Sequence, residues 1–498
     1  MNKIVVIDFG SQYTQLISRL IRELHVYCEV IPYQSFIYQD NILGVILSGG
    51  PQSVTQENYP LINLLELKVP VLGLCYGSQL IVKEFGGEVR QDRSSEYGKC
   101  EVNILEDSLL LEGIEKKIPV WMSHQDTITK IPPGCKILGI SENQKIAMFQ
   151  YQNFYGFQFH PEVTHTKSGK KMLDNFLKMT RCDRNWTEEN FIKLSIENIK
   201  NQVGDSGVIM ALSGGVDSMV AAHLVHQAIP DKLTCIIVNN GLLRLHEYQN
   251  VLQNCQKLGM NIQGVDASDR FYEKLTNITD PEEKRKIIGN LFIEVFTETS
   301  QKLTGVEYLG QGTIYPDIIE SVEGIGKIKS HHNVGGLPKQ MKLKLLEPLR
   351  FLFKDEVRRV GLKLGMSQDF IFRHPFPGPG LGIRILGNIT RERVKILQQA
   401  DFIFTENLKS EGLYHQIWQA GAIFLPIKSV GVMGDCRTYE NVICLRAVES
   451  INGMTADWFH FPKGFLSRVS NNIINQVSGV NRVVYDISSK PPATIEWE

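Results

Sequence analysis

The stretch GVIMALSGGVDSMVAAHLV (residues 207–225) reads as a buried strand, a glycine-bearing turn and an apolar helix. Its turn, SGGVDS, lacks the lysine of the GxxxxGKS/T phosphate loop. It still has the features of an anion-binding site, because Gly214 and Gly215 let the backbone approach oxygen atoms and the helix start adds amide donors. The six residues expected to contact phosphate oxygens are Ser213, Gly214, Gly215, Val216, Asp217 and Ser218. A carboxylate repels bare phosphate, so Asp217 indicates either a bound Mg²⁺ or a helix cap.

Outward from this stretch, apolar runs alternate with helical patterns in both directions. Continuous runs such as KIVVID (3–8) and LTCIIVNN (233–240) are typical of parallel strands that are covered on both faces. The segment RHPFPGPGLGIRI (373–385) breaks any helix, and the chain after it mixes one long helix with strands. We therefore predict an α/β chain with two successive doubly wound parallel-sheet domains, residues 1–187 and 188–373, and a smaller α+β domain, residues 374–498.

Composition argues against several classes of protein. The 498 residues carry 53 basic and 54 acidic side chains, a balance that offers no global attraction to nucleic acid or to anionic membranes. We expect neither a membrane span nor a secretory signal, because the apolar runs are too short for either. The nine cysteines are scattered without a CxxC pair, which indicates reduced thiols, a cytoplasmic location and no structural zinc site.

A second constellation joins Cys75, His160 and Glu162. VPVLGLCYGSQL (69–80) places the cysteine between two glycines on a predicted strand-to-helix turn, where a nucleophile is exposed and the helix start stabilises negative charge. In GFQFHPEV (156–163), strand periodicity would put His160 and Glu162 on one face, so that the carboxylate orients the imidazole. Taken singly, each residue has an ordinary structural explanation. Together they predict a catalytic triad, with backbone amides of Gly49, Gly50 and Tyr76 as donors to an oxyanion.

Two family resemblances follow from these motifs. GLCYGSQ with the downstream QFHPE resembles the class I glutamine amidotransferases, over residues 1 to about 185. This implies that the triad hydrolyses glutamine to glutamate and ammonia. SGGVDS resembles the loop of the N-type ATP pyrophosphatases, which implies that ATP is cleaved between its α- and β-phosphates to adenylate a carbonyl oxygen. One position departs from that pattern, because Asn239 stands where related sequences usually carry an aspartate.

The remaining motifs resemble the glutamine-hydrolysing GMP synthase family and follow its order. They are EEKRKIIGNLF (282–292), GQGTIYPDIIES (310–321), IKSHHNVGGLP (328–338), LLEPLRFLFKDEVR (345–358), HPFPGPGLGIRI (374–385) and SKPPATIEWE (489–498). The resemblance implies that ATP adenylates xanthosine 5′-phosphate (XMP) and that ammonia from glutamine displaces AMP to give GMP. It also implies that ATP is a co-substrate, that Mg²⁺ is required, and that the carboxy-terminal domain forms a homodimer.

The same resemblance assigns residues to the nucleotide sites. Lys354 is implied in binding ATP and pyrophosphate. The residues implied at the synthetase and XMP site are Arg285, Asp317, Lys329, Arg384, Gln419, Lys490, Thr494 and Glu496. Structural alternatives stay open: the two lysines are common as solvated charges, Arg285 has glutamates nearby along its helix, and Asp317 suits a helix cap.

Other functions also stay open at this point. The same two sites would serve a ligase with a different acceptor, such as nicotinate adenine dinucleotide or a carboxylate. Related loops occur in tRNA-modifying enzymes, although neither the charge balance nor the cysteine spacing favours that reading. A regulatory protein with decayed sites is the third alternative, and Asn239 is the one feature in its favour.

Overall fold

The computed structural model describes residues 2–322, 343–450 and 453–498. Lys329, one of the predicted synthetase residues, lies outside the described residues. The chain divides into two compact units, residues 1–190 and 191–498. No helix in the described ranges is long and apolar enough to cross a membrane.

Unit 1 is built on one nine-stranded sheet. Its strands are β1 (Lys3–Asp8), β2 (Cys28–Pro32), β3 (Ile42–Leu47), β4 (Val71–Leu74), β5 (Glu88–Ile104), β6 (Lys117–Lys130), β7 (Lys136–Ser141), β8 (Ile146–Tyr151) and β9 (Phe154–Phe157). Its helices are α1 (Thr14–Glu23), α2 (Tyr76–Glu84) and α3 (Gly169–Thr180). The strand order across the sheet is β2-β1-β3-β4-β9-β8-β7-β5-β6.

The first five strands of this order pair in parallel, as the sequence predicts. Strands β1 and β9 are buried along their whole length, which explains their continuous apolar runs. The sheet then continues through four antiparallel strands that the sequence analysis does not predict. The carboxyl ends of parallel strands meet at one edge of the sheet. Asp8 at the end of β1, Ser48 just after β3 and Cys75 just after β4 therefore lie at the same edge.

Unit 2 contains two sheets. The strands are β10 (Gly207–Ala211), β11 (Leu233–Asn239), β12 (Ile262–Asp266), β13 (Val306–Gly310), β14 (Lys344–Leu346), β15 (Gln419–Met433), β16 (Cys436–Glu449), β17 (Asp457–Trp458) and β18 (Val480–Tyr485). The helices are α4 (Glu188–Val203), which begins just before the division between the units, α5 (Val216–Ala228), α6 (Glu247–Lys257), α7 (Ser268–Lys274), α8 (Pro281–Ser300), α9 (Tyr315–Val322), α10 (Lys354–Lys363), α11 (Gln368–Ile371), α12 (Arg391–Ser410) and α13 (Phe465–Gln476).

The first sheet of unit 2 has the order β12-β11-β10-β13-β14 and is parallel throughout. In the second, β16 pairs antiparallel with β15 and β17 and parallel with β18. One hydrophobic core serves both sheets, since it joins Ile209 and Ile236 of the first to Phe404, Ile443 and Phe465 further along the chain. The α/β fold class is confirmed, and the division of this unit at 373/374 stays a prediction.

Candidate active site

Cys75 occupies a strained turn between β4 and α2. Its φ of +48° is a backbone conformation that residues with a Cβ rarely adopt. The flanking glycines make the turn possible: a Cβ at Gly73 would lie 2.5 Å from the carbonyl of Gly77, and one at Gly77 would lie 2.5 Å from the oxygen of Leu47. The close backbone approach expected from the sequence is therefore present, and it holds the thiol at the carboxyl edge of the sheet.

His160 is hydrogen-bonded to the third member of the predicted triad. Its Nδ1 donates to Oε1 of Glu162 over 2.7 Å, and both side chains are almost fully buried. Burial alone would lower the pKa of His160, but hydrogen bonds to Cys75 and Glu162 outweigh it and raise the pKa to about 10. The imidazole is therefore charged at neutral pH.

The sequence analysis explained the His160–Glu162 pairing by strand periodicity, and that explanation is wrong. Strand β9 ends at Phe157, so both residues lie in the loop that follows and not on one face of a strand. The loop is fixed by other bonds: the backbone N–H of His160 donates to Trp121 over 3.1 Å, and the Thr166 hydroxyl donates to the His160 carbonyl over 2.7 Å. These bonds set the imidazole against Glu162 without strand geometry.

Gly49, one of the predicted oxyanion donors, lies beside the same histidine. A Cβ at Gly49 would stand 3.3 Å from Cε1 of His160, so the backbone of this loop passes directly beside the imidazole. The neighbouring Ser48 ties the loop to β1, because its hydroxyl donates to the Gly49 carbonyl and accepts from the Phe9 amide. Tyr76 is the first residue of α2, where helix geometry leaves the backbone amide without an acceptor inside the helix.

Two groups that the sequence analysis does not predict contact the sulfur of Cys75. The Sγ atom lies 3.5 Å from the carbonyl oxygen of Ser123 and 3.9 Å from Nε2 of Gln158. Gln158 belongs to the QFHPE motif, so the motif itself carried a signal for it. Ser123 lies on β6, one of the antiparallel strands, and no motif on that strand pointed to the nucleophile.

In unit 2, the SGGVDS turn joins β10 to α5 as expected. Gly214 has a φ of +74°, a conformation that glycine adopts without strain. The Ser213 hydroxyl accepts from the amide of Gly215 over 3.2 Å and lies 3.3 Å from the hydroxyl of Ser218. Val216 and Asp217 begin the helix. The turn thus presents hydroxyls and a helix amino terminus at the carboxyl edge of a parallel sheet.

Lys354 meets this turn from the start of α10. Its Nζ donates to both carboxylate oxygens of Asp217, each over 2.6 Å. The lysine is therefore not an isolated solvated charge, and the structure brings together the lysine and the loop that the sequence assigns to one site. In the described part of the chain, no three His, Cys, Asp or Glu side chains cluster as metal ligands.

Asn239, the position that departs from the pattern, ends β11 beside this turn. Its Oδ1 accepts from the amide of Gly241 over 3.0 Å, so its side chain stabilises the local turn. Asp266 lies directly across from it on β12 and supplies a carboxylate at the same edge of the sheet. A hydrogen bond from the Ser268 amide lowers the pKa of Asp266, and Asn239 contributes another.

Three of the predicted XMP residues form one buried cluster. Arg384 donates to both carboxylate oxygens of Glu496, over 2.9 and 2.7 Å, and Gln419 donates to the same carboxylate. Burial opposes the charge on each partner, but their mutual attraction raises the pKa of Arg384 and lowers the pKa of Glu496. They enclose a pocket of only ≈ 10 Å³, far smaller than the several hundred Å³ of an ordinary ligand site.

The other predicted synthetase residues have different partners. Lys490 donates to the carbonyl of Gly453 over 2.8 Å, and the Thr494 hydroxyl donates to the Glu496 carbonyl. Asp317 accepts from the Ile314 amide over 3.0 Å at the start of α9, which is a capping contact.

Arg285 donates to the backbone oxygen of Glu498 over 2.5 Å. The side chain of Glu498 pairs with the fully buried Lys284, which the sequence analysis does not predict.

Comparisons with known proteins cover the whole chain. Three family models match: glutamine amidotransferase class-I over residues 5–180, NAD synthase over 188–292, and the GMP synthase C terminal domain over 406–497. A GMP synthase [glutamine-hydrolyzing] of Cytophaga hutchinsonii is 56% identical and covers 100% of this chain and 99% of its own. Proteins of the same name from Aquifex aeolicus and Porphyromonas gingivalis are both 54% identical, the first covering 99% of each chain and the second 100% of each.

Proposed function

The chain belongs to the family of glutamine-hydrolysing GMP synthases, and from that premise we propose that it makes GMP from XMP, ATP and glutamine. The observation that carries this proposal is that one chain holds two separate reaction sites. The first is a cysteine on a strained turn beside a charged histidine, and the second is a lysine-free phosphate loop paired with Lys354.

At the first site, Cys75 attacks the side-chain amide of glutamine. His160 has taken the thiol proton, and Glu162 keeps the imidazole oriented by the 2.7 Å hydrogen bond to Nδ1. The oxyanion that forms is stabilised by backbone amides of Gly49, Gly50 and Tyr76. The imidazolium then protonates the amide nitrogen, the C–N bond breaks and ammonia leaves. Water hydrolyses the remaining thioester, which releases glutamate and the Cys75 thiol.

At the second site, the residues of the 213–218 loop hold the pyrophosphate end of ATP. Amides at the start of α5 and the hydroxyls of Ser213 and Ser218 donate to phosphate oxygens, and Lys354 adds positive charge. Asp217 fits a Mg²⁺ ion, because this ion takes few carboxylates and completes its shell with water and substrate phosphates. Such an ion would neutralise charge on the pyrophosphate; to bind it, Asp217 would have to release Lys354.

We assign XMP to the cluster of Arg384, Gln419 and Glu496. Further candidates for this site are Lys490, Thr494, Arg285 and Asp317. A nucleotide does not fit the ≈ 10 Å³ pocket, so its binding requires the Arg384–Glu496 pair to open. Nη1 of Arg384 has no hydrogen-bond partner among the described residues and lies 3.6 Å from Asp401, which leaves a donor for a ligand.

We also propose that two copies associate through the hairpin of β15 and β16. Val430 faces Tyr439 across this hairpin, and both are exposed, as is Val432. Exposed apolar side chains grouped on one surface are typical of protein interfaces. A cytoplasmic location is part of this proposal, and the nine unpaired cysteines and the nucleotide substrates support it.

The test supplies XMP, ATP and Mg²⁺ with either glutamine or ammonium, and measures GMP and AMP. We expect Cys75→Ala to lower the glutamine-dependent rate by at least about 10³-fold and to keep the ammonium-dependent rate. Cys135→Ala, in the same unit but away from the triad, is the matched control. If the wild type makes no GMP from ammonium, then XMP is not the acceptor.

A further inference from the structure

A buried histidine–carboxylate pair in unit 1 lies outside every motif discussed above. Glu96 of β5 faces His124 of β6 in the strand register, and their side chains are only 4% and 1% exposed. Nε2 of His124 lies 3.1 Å from Oε2 of Glu96. The second carboxylate oxygen accepts from Ser141 and Asn143, each over 2.8 Å. Three hydrogen-bonding side chains thus surround this carboxylate.

Both ring nitrogens of His124 lie within hydrogen-bond distance of an oxygen atom. Nε2 faces the carboxylate, and Nδ1 lies 2.9 Å from the carbonyl oxygen of Asp126, so both neighbours are acceptors. Burial alone would raise the pKa of Glu96, but hydrogen bonds from His124, Asn143 and Ser141 outweigh it and lower the pKa to about 2. The carboxylate of Glu96 therefore stays ionised although it is removed from water.

A polar pair buried this deeply is a weak source of stability, because the loss of contact with water offsets most of the attraction. What the pair does fix is the position of the segment from Ser123 to Asp126. The carbonyl of Asp126 accepts from His124 and also from Nε2 of Gln79 over 2.9 Å. Gln79 lies one helical turn after Cys75, and the backbone N–H of Gln79 donates to the Cys75 carbonyl.

The other end of this segment contacts the nucleophile itself, since the Ser123 carbonyl lies 3.5 Å from the sulfur of Cys75. The Asp126 carbonyl therefore links the buried imidazole to α2, and the Ser123 carbonyl links the same segment to the sulfur of Cys75. A displacement of about 1 Å at such a position is enough to cost on the order of 10²-fold in rate.

We propose that Glu96 and His124 are positioning residues of the glutaminase site. His124 holds the Ser123–Asp126 segment against Cys75 through the Asp126 carbonyl, and Glu96 keeps the imidazole oriented. The proposal rests on the proposed glutaminase function.

The experiment compares variants that keep one hydrogen bond and lose another. His124→Asn retains a donor near the position of Nδ1, toward Asp126, whereas His124→Gln retains one near Nε2, toward Glu96. We expect both variants to lower kcat/KM for glutamine hydrolysis, with His124→Asn keeping about tenfold more activity than His124→Gln. Glu96→Gln should lower it by roughly 10- to 100-fold.

Two controls match these variants. Glu88→Gln changes an exposed carboxylate on the same strand, and His165→Gln changes an exposed histidine of the same unit. Both are expected to hydrolyse glutamine at the wild-type rate. The rate of GMP formation from ammonium depends on unit 2. In every variant it should stay within about twofold of the wild-type rate, which corresponds to a change of less than about 0.5 kcal/mol in activation free energy.

Wild-type glutaminase activity in Glu96→Gln would overturn the proposal, and so would equal losses in the two His124 variants, because a purely structural role does not distinguish the two donors. A parallel fall in the ammonium-dependent rate would also overturn it, by showing an effect on the whole fold. Failure of the wild type to hydrolyse glutamine would instead reject the proposed function.

Discussion

The charge on His160 ties the stability of unit 1 to pH. Its pKa is raised from an ordinary 6.5 to about 10, so the folded state holds this proton more tightly than the unfolded state does. The resulting contribution to the free energy of unfolding is fully present below about pH 6.5. It is lost as the pH rises from there through about 10.

Removal of this charge should therefore destabilise unit 1 at low pH and matter less at high pH. His160→Gln should unfold at a lower temperature than the wild type at pH 6, and the difference should shrink as the pH approaches 10. Thermal unfolding measured across this range checks it, with His165→Gln as the control, because that histidine is exposed and lies outside the triad. A difference that is constant with pH would show that the imidazole charge does not contribute.

Single residues also show what sequence could predict. The motifs predicted Cys75, His160 and Glu162, because each motif surrounds a reactive side chain with the residues that the local backbone geometry requires. Ser123 was not found, because what reaches the sulfur is a backbone carbonyl, and every residue type supplies one. Glu96 and His124 were missed for a related reason, since their pairing depends on strand register and not on spacing along the chain.

At the scale of elements, the turn that carries Cys75 depends on the glycines beside it. In Gly73→Ala, the new Cβ would meet backbone atoms of Gly77 and Ser78 at 2.5–2.6 Å, and backbone does not move aside as a flexible side chain does. We expect unit 1 to lose about 1–3 kcal/mol of stability and glutamine hydrolysis to fall with it. Denaturant unfolding and the glutaminase assay measure the two effects.

Gly289→Ala provides the comparison for that variant. Gly289 lies on the exposed side of α8, and a Cβ there would meet no atom within 4 Å. Alanine is the better helix former by roughly 0.5–1 kcal/mol, so this change should be neutral or stabilising. If Gly73→Ala is also neutral or stabilising, the backbone of the turn moves enough to accommodate a Cβ.

The elements also divide by how well the sequence predicts them. The parallel strands were predictable because they are buried on both faces and leave continuous apolar runs, as in β1 and β9. The antiparallel strand β6 alternates buried and partly exposed residues, a weaker pattern over fourteen residues that include His124 and Asp126. The loop after β9 follows no period at all, which is why the strand argument for His160 and Glu162 failed.

For the whole molecule, the proposed association of two copies has a direct test. Val432 is 75% exposed on the β15–β16 hairpin, and Ile37 is 74% exposed in unit 1. A buried charge weakens an apolar interface, so Val432→Glu should raise the dissociation constant of the dimer by at least about tenfold. Ile37→Glu should leave it unchanged. Light scattering over a dilution series compares the two, and a wild type that is monomeric throughout would reject the interface.

The shared core of unit 2 limits how such a protein can be recombined with its relatives. The cores described in unit 1 draw only on residues before 190, so an exchange of that unit leaves every side chain of each core with its original neighbours. A crossover at 373/374 instead cuts through one cluster in which Leu242 and Phe271 pack with residues such as Leu381 and Ala400. In a hybrid joined at that point, each parent supplies part of the same hydrophobic core. The core residues on the two sides therefore have to be exchanged together.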